Sequence, residues 1–367
     1  MAVTTIRVPL GPRSYPIVVG HRQLGTLAAW LSRVGMRGDP VVVTTPRIWR
    51  MCGGALQKAL RWGRMTARVI AVPDTERSKS MAELTRVLNR VAAFDGVSRR
   101  LFIVALGGGV VGDLAGLVAA LYRRGIPYVQ IPTTLLAQVD SSIGGKTAVD
   151  LAAGKNLVGA FYQPRLVFVE TSWLSTLPLR QLASGLAEVI KSGLIRDVGL
   201  VRYLESHRDE LRSADPAALQ VVIGRAASIK AAVVAQDERE TTGLRTVLNF
   251  GHTIGHAIEA AIRYGKAYTH GEAVAIGMRG ATAIARRIGV CPSSVARRVN
   301  ELLTAYRLPG RARGVRPSAV LTALAHDKKA QHGRLRWVLP TRVGHVVVTP
   351  DVPDAVVRVV VEELVGG

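Results

Sequence analysis

Three histidines close together in the chain offer a metal site. His252 and His256 stand four residues apart in a helical pattern, so they share one face. His270 opens the next helical pattern in Thr269-His270-Gly271-Glu272, a turn-like start from which a ligand can be aimed. Far upstream, Glu188 and Lys191 lie three apart in a helix that is otherwise apolar there (Leu182, Leu186, Val189, Ile190). A carboxylate and an ammonium in such a helix need partners. Two accounts stay open. One is a salt-bridged structural pair beside core or capping histidines. The other is a zinc site of one Glu and two His, with open positions for substrate oxygens.

Other stretches suit anionic ligands. Gly107-Gly108-Gly109-Val110-Val111-Gly112-Asp113 follows an apolar strand and opens a helix, so backbone N–H groups and the helix N-terminus can meet a pyrophosphate. The run is not G-x-G-x-x-G, and a tight turn without ligand fits it equally. Pro73–Ser80 also lies at the carboxyl end of a strand, the edge where open α/β sheets bind ligands, and two such loops favour a dinucleotide. Residues 132–163 set Asp140, Lys146, Lys155 and Asn156 among Gly, Ser and Ala, which suits close approach to a ligand; the alternative is a solvated loop. Gly144-Gly145-Lys146-Thr147 lacks full P-loop spacing because position 140 is Asp, so nucleoside triphosphate hydrolysis is disfavoured.

The elements that must position these groups fall into two kinds. Up to about residue 172, strands (6–10, 15–19, 41–45, 67–72, 101–106, 128–131, 166–169) alternate with helical patterns (47–62, 80–93, 110–124), which implies a parallel sheet with crossover helices. Beyond it, amphipathic helices are expected at 178–195, 199–212, 216–236, 246–263, 270–288 and 293–306, then short strands near 335–339 and 346–348 and a last helix. The fold class is therefore α/β. A Rossmann-like nucleotide-binding domain (1–172) precedes a mainly α-helical metal- and substrate-binding domain (173–367).

The chain of 367 residues carries a net charge of +23, and forty of its 49 basic residues are arginine. The charge is scattered, without a basic block or interleaved aromatics, so nucleic-acid binding is not implied, although the field would draw in small anions. Because arginine is the default cation here, the nine lysines stand out, and seven of them (79, 146, 155, 191, 230, 328 and 329) are candidate site residues or their neighbours. Phe102–Tyr122 is apolar but holds five glycines and Asp113, which reads as a buried strand, turn and helix rather than a membrane span. No secretory signal is visible, and Cys52 and Cys291 lack metal-ligand spacing, so the cytoplasm is the expected compartment.

Taken together, 10–17, 107–113, 132–163, 185–191, 248–259 and 270–278 resemble the 3-dehydroquinate synthase family, nearly end to end and in order. The resemblance implies an NAD- and metal-dependent enzyme, with zinc or cobalt as the cation. It would convert the phosphorylated seven-carbon keto acid DAHP into 3-dehydroquinate and phosphate in the shikimate pathway, by transient oxidation, phosphate elimination, reduction, ring opening and aldol closure. It further implies Glu188, His252 and His270 as metal ligands. Glu76, Lys79, Gly108, Gly109, Val110, Asp113, Thr133, Thr134, Asp140, Lys155 and Thr176 would line the NAD site. Lys146, Asn156, Lys191, Lys230, Arg245, Asn249, His256 and Lys328 would hold the substrate, with Lys329 not separable from Lys328. Arg124 would serve a second subunit, which implies a homodimer. Thr44-Thr45-Pro46 departs from the family where an acidic residue often meets the adenosine ribose. The competing expectations are another sugar-phosphate cyclase (making 2-deoxy-scyllo-inosose, an epi-valiolone or aminodehydroquinate), an NAD- and metal-dependent alcohol dehydrogenase, and a basic binding protein without catalysis.

Overall fold

A computed structural model describes residues 2–96, 100–330 and 335–366; the side chains of 327–330, Lys328 and Lys329 among them, lie outside the described residues. The chain divides into two compact units. The first comprises 1–177 and 219–239, the second 178–218 and 240–367. The helix Pro216–Gln236 thus returns most of its length to the α/β unit, although its periodicity matches that of the helical half. It is long and apolar enough to cross a membrane by length and composition alone, but 67% of its apolar window is buried within the fold.

The first unit is built on a seven-stranded sheet. Its strands are β1 (Thr4–Val8), β2 (Tyr15–Gly20), β3 (Asp39–Thr44), β4 (Arg68–Ala71), β5 (Leu101–Gly107) and β6 (Tyr128–Pro132), with β9 (Leu166–Glu170) following the hairpin of β7 (Lys146–Leu151) and β8 (Gly154–Phe161). The order is β1-β2-β9-β6-β5-β3-β4, with only the β1–β2 pair antiparallel. Alternation of side chains along β3 and β5 explains the two cores. Val41, Val43, Ile103 and Ala105 face helices Met81–Phe94 and Gly109–Leu121, whereas Val42, Phe102, Val104 and Leu106 face helices Leu27–Arg33 and Pro46–Trp62. Each fully buried side chain of this kind contributes about 1.5–3 kcal/mol. Thr45, with Pro46 behind it, caps the second of those helices through the N–H of Ile48, so the position where an acid was sought serves instead as a helix start.

The second unit is helical, with a two-stranded sheet of β10 (Trp337–Arg342) and β11 (His345–Thr349). Three expectations change. The pattern at 199–212 breaks into Val198–Ser206 and Arg208–Arg212 at His207, whose Nδ1 meets Ser206 Oγ and Tyr203 O while its ring stacks on Tyr203. The pattern at 246–263 becomes a 3₁₀ turn, Leu244–Asn249, and a helix, His252–Ala261, because Gly251 at φ +83° takes a left-handed conformation between them. Helix Pro317–Ala330 had no counterpart in the periodicity.

Candidate metal centre and nucleotide edge

Helix Leu179–Arg196 buries Glu188 to 1% exposure, and Lys191, one turn on, pairs with its Oε2. Apart from that ion pair, neither carboxylate oxygen has a hydrogen-bond partner among the described residues. Facing Glu188 Oε1 are His252 Nε2 and His270 Nε2, each at 3.7 Å. One donor atom from each of the three lies within 4.8 Å of the others, close enough to share a cation. His256 stands beside them, its ring 5.1 Å from that of His252 and 5.9 Å from that of His270, and it is exposed.

Local structure fixes where these rings start. His252 is the first residue of its helix, launched by the left-handed Gly251. His270 is the first residue of helix His270–Arg287, held by a capping box in which Thr269 Oγ1 accepts from Glu272 N–H and Thr269 N–H donates to Glu272 Oε2. Arg180 grips the same Glu272 carboxylate at 2.6 and 2.8 Å, and the Gly271 N–H donates to Ser184 Oγ. The start of the helix that carries His270 is thereby tied to the helix that carries Glu188. In the same unit Arg245 is buried with its Nε 3.5 Å from Glu240, while Asn249 is exposed at the end of the 3₁₀ turn.

In the first unit the glycine run ends β5 and opens helix Gly109–Leu121, with Gly108 as an N-cap that offers no side chain and Val110 in the first turn. A Cβ at Gly108 would stand 3.3 Å from Thr134 and one at Gly109 3.1 Å from Ser141 Oγ, so a side chain at either position would require its neighbour to give by a few tenths of an ångström. The Thr133 hydroxyl beside it is buried with no hydrogen-bond partner among the described residues. Lys79 joins the two candidate loops: its Nζ meets Asp113 Oδ2 at 2.7 Å and Asn156 Oδ1 at 2.5 Å. Burial works to lower the pKa of that ammonium, yet Asp113, with Glu76 and Asp150, holds it above its ordinary value. Glu76 pairs with Lys155 at 2.8 Å, and Asp140 accepts from Lys230 at 2.5 Å on its carboxylate and 2.8 Å on its backbone carbonyl. Thr176 donates to Trp173 O within its own turn, and Lys146 is exposed at the start of β7.

Arg124 is not brought to this edge. It lies exposed beyond the far end of helix Gly109–Leu121, roughly 20 Å along the chain's course from the glycine run.

The Lys79 pairing carries a consequence for stability. Lys79→Met strands the Asp113 carboxylate and should destabilise the fold by about 1–3 kcal/mol in urea melts. The double variant with Asp113→Asn should recover part of that loss. Strictly additive losses would contradict the pairing.

Relatives decide the family. Residues 69–184 match the family described as 3-dehydroquinate synthase N-terminal, and residues 185–330 that described as 3-dehydroquinate synthase C-terminal. The chain belongs to the 3-dehydroquinate synthase family. A 3-dehydroquinate synthase of Symbiobacterium thermophilum is 47% identical, over 95% of this chain and 97% of its own. Among solved structures, 2-deoxy-scyllo-inosose synthase complexed with carbaglucose-6-phosphate, NAD+ and Co2+ is 30% identical, with a TM-score of 0.88 over 98% of this chain and 99% of that one. ValA, a 2-epi-5-epi-valiolone synthase from Streptomyces hygroscopicus with NAD+ and Zn2+ bound, is also 30% identical, at a TM-score of 0.86 over 95% and 96%.

Two carboxylates of this synthase-family fold escaped the sequence reading. Glu170, at the end of β9, accepts from the N–H groups of Arg22, Gln23, Leu24 and Ser172 and from Ser172 Oγ, tying together the loops after β2 and β9. Glu259 approaches His270 Nδ1 at 3.3 Å. Its i+3 spacing from His256 was the one available signal for it.

Proposed function

We infer that the chain is a 3-dehydroquinate synthase, converting DAHP into 3-dehydroquinate and phosphate with NAD and a divalent cation, zinc or cobalt. The observation that carries this reading is the buried Glu188, flanked by two imidazoles, in a chain nearly half identical over its length to a synthase of that name.

The donor set suits a cation. A buried carboxylate whose Oε1 has no hydrogen-bond partner among the described residues, facing two imidazole nitrogens, is the one-carboxylate, two-histidine chemistry that holds zinc and leaves positions open. Glu188, His252 and His270 would hold it, and it would polarise a substrate oxygen. The glycine run and the orphaned Thr133 hydroxyl suit a dinucleotide, whose nicotinamide would supply a reversible hydride transfer. Gly108, Gly109 and Val110 would offer backbone N–H groups to its pyrophosphate. Glu76, Lys79, Asp113, Thr133, Thr134, Asp140, Lys155 and Thr176 would complete that site.

Lys146, Asn156, Lys191, Lys230, Arg245, Asn249, His256 and Lys328 would clamp the substrate's phosphate, carboxylate and hydroxyls, and orientation of this kind supplies roughly 7–11 kcal/mol of a barrier. Asn156 sits at φ +56°, a conformation tolerated by Asn and one that turns its amide toward Lys79. Arg124, remote from the glycine run, would act on the site of a second subunit, so the working form would be a homodimer. The compartment would be the cytoplasm.

Purified protein given DAHP, catalytic NAD and zinc should release phosphate and cyclic product in equal amounts without accumulating NADH. An alcohol dehydrogenase would build up NADH instead. Recovery of DAHP unchanged would refute the reading.

A further inference from the structure

Each imidazole of the candidate metal centre has two nitrogens, and both rings divide them in the same way. Nε2 of His252 and of His270 points to Glu188 Oε1, at 3.7 Å in both cases. Nδ1 of His252 faces the backbone carbonyl of Phe250 at 3.3 Å. Nδ1 of His270 faces a side chain instead, Glu259 Oε2, also at 3.3 Å. A carbonyl and a carboxylate only accept, so both contacts place the proton on Nδ1 and leave the Nε2 lone pair toward Glu188.

We propose that Glu259 is a positioning residue of the metal centre, a carboxylate that fixes the tautomer and ring orientation of His270 and raises its basicity as a ligand. The inference rests on the metal reading above and extends it to a residue outside the ligand set. Glu259 is suited to the task by its place. It sits two turns along helix His252–Ala261 from His252, so one helix supplies both a ligand and the carboxylate that orients the ligand on the neighbouring helix. Its side chain is 14% exposed, so water screens the contact only in part. His270 needs such a partner more than His252 does. Both rings start their helices, but His270 is the more exposed, at 28% against 11%.

Glu259 also belongs to a second group that could share a cation, with His256 and the same His270. Burial separates the two groups. Glu188 is enclosed, its Oε1 without a hydrogen-bond partner among the described residues, whereas His256 is exposed. A carboxylate that binds the far nitrogen of a ligand histidine typically accounts for 10- to 100-fold in metal affinity.

The test is zinc affinity of the full-length apoprotein, read by competition with a chromophoric chelator, for Glu259→Gln, Glu259→Asp and Glu188→Gln, with thermal melts of each apo form. Glu259→Gln keeps an acceptor but loses the charge. It should bind one zinc about 10- to 100-fold more weakly, with an apo melting point close to that of the parent. Glu259→Asp should restore part of the affinity, which a merely structural role would not predict. Unchanged affinity in Glu259→Gln, with zinc lost from Glu188→Gln, overturns the proposal and leaves the metal reading intact. Zinc retained by Glu188→Gln but lost from Glu259→Gln places the cation on the second group and overturns both.

Discussion

Glu188→Gln should abolish stoichiometric zinc binding and lower turnover by about 10²- to 10³-fold, the scale of losing a main electrostatic contributor in an active site. The amide removes the only anionic member of the Glu188–His252–His270 group and takes the Glu188 charge from Lys191, whose side chain is 3% exposed. Breaking a buried ion pair from one side costs about 3–5 kcal/mol, so the apo variant should also melt earlier. That drop alone would suit a purely structural salt bridge, and the effect of zinc separates the accounts. Zinc at 100 times its dissociation constant stabilises a one-site protein by about 2.7 kcal/mol. The parent protein should show this rise in melting temperature and Glu188→Gln should not. A parent indifferent to zinc would return Glu188 and Lys191 to the structural account.

The unequal legibility of these residues has physical causes. The candidate metal group was legible because helical spacing puts His252 and His256 on one face and because an ionisable pair in an apolar helix is conspicuous. Spacing does not say which of the two rings faces Glu188; Gly251 starts the helix at His252, whose Nε2 lies 3.7 Å from that carboxylate. The α/β half was legible because β3 and β5 are apolar on both faces, whereas the hairpin of β7 and β8 was not. Its few bulky apolar residues (Val149, Leu151, Leu157, Val158, Phe161) are set among Gly, Ala, Lys, Asn and Asp, and Leu151, Leu157 and Phe161 are exposed, so hydrophobicity does not single out a buried face. Glu170 left no trace for a different reason. Its partners are chiefly backbone N–H groups of a distant turn, and any residue type at 22–24 would present them. Glu259 looked like an ordinary acid on a helix face until the fold set His270 against it.

Gly277→Ala should damage the same centre without touching a ligand. A Cβ at Gly277 would fall 1.9 Å from the carbonyl oxygen of Gly251 and 2.8 Å from Gly255 N, both backbone atoms of the turn and helix that carry His252. Backbone cannot rotate aside as a side-chain tip does, so helices His252–Ala261 and His270–Arg287 must part by about an ångström to reach ordinary contact. That displacement falls on a cluster whose donor atoms lie within 4.8 Å of one another. Misplacement of about 1 Å costs on the order of 10²-fold in catalysis. Zinc affinity and turnover should each fall by roughly that factor, with about 1–3 kcal/mol of stability lost to overpacking. Gly280→Ala, three residues along the same helix, is the control. Its Cβ would meet Ile254 Cδ1 at 2.5 Å and Leu364 Cδ1 at 2.8 Å, both ends of flexible side chains that can change rotamer. Gly280→Ala should therefore lose some stability and keep its zinc. Equal zinc affinity in the two variants would show that the close approach of these helices is not what holds the imidazoles in place.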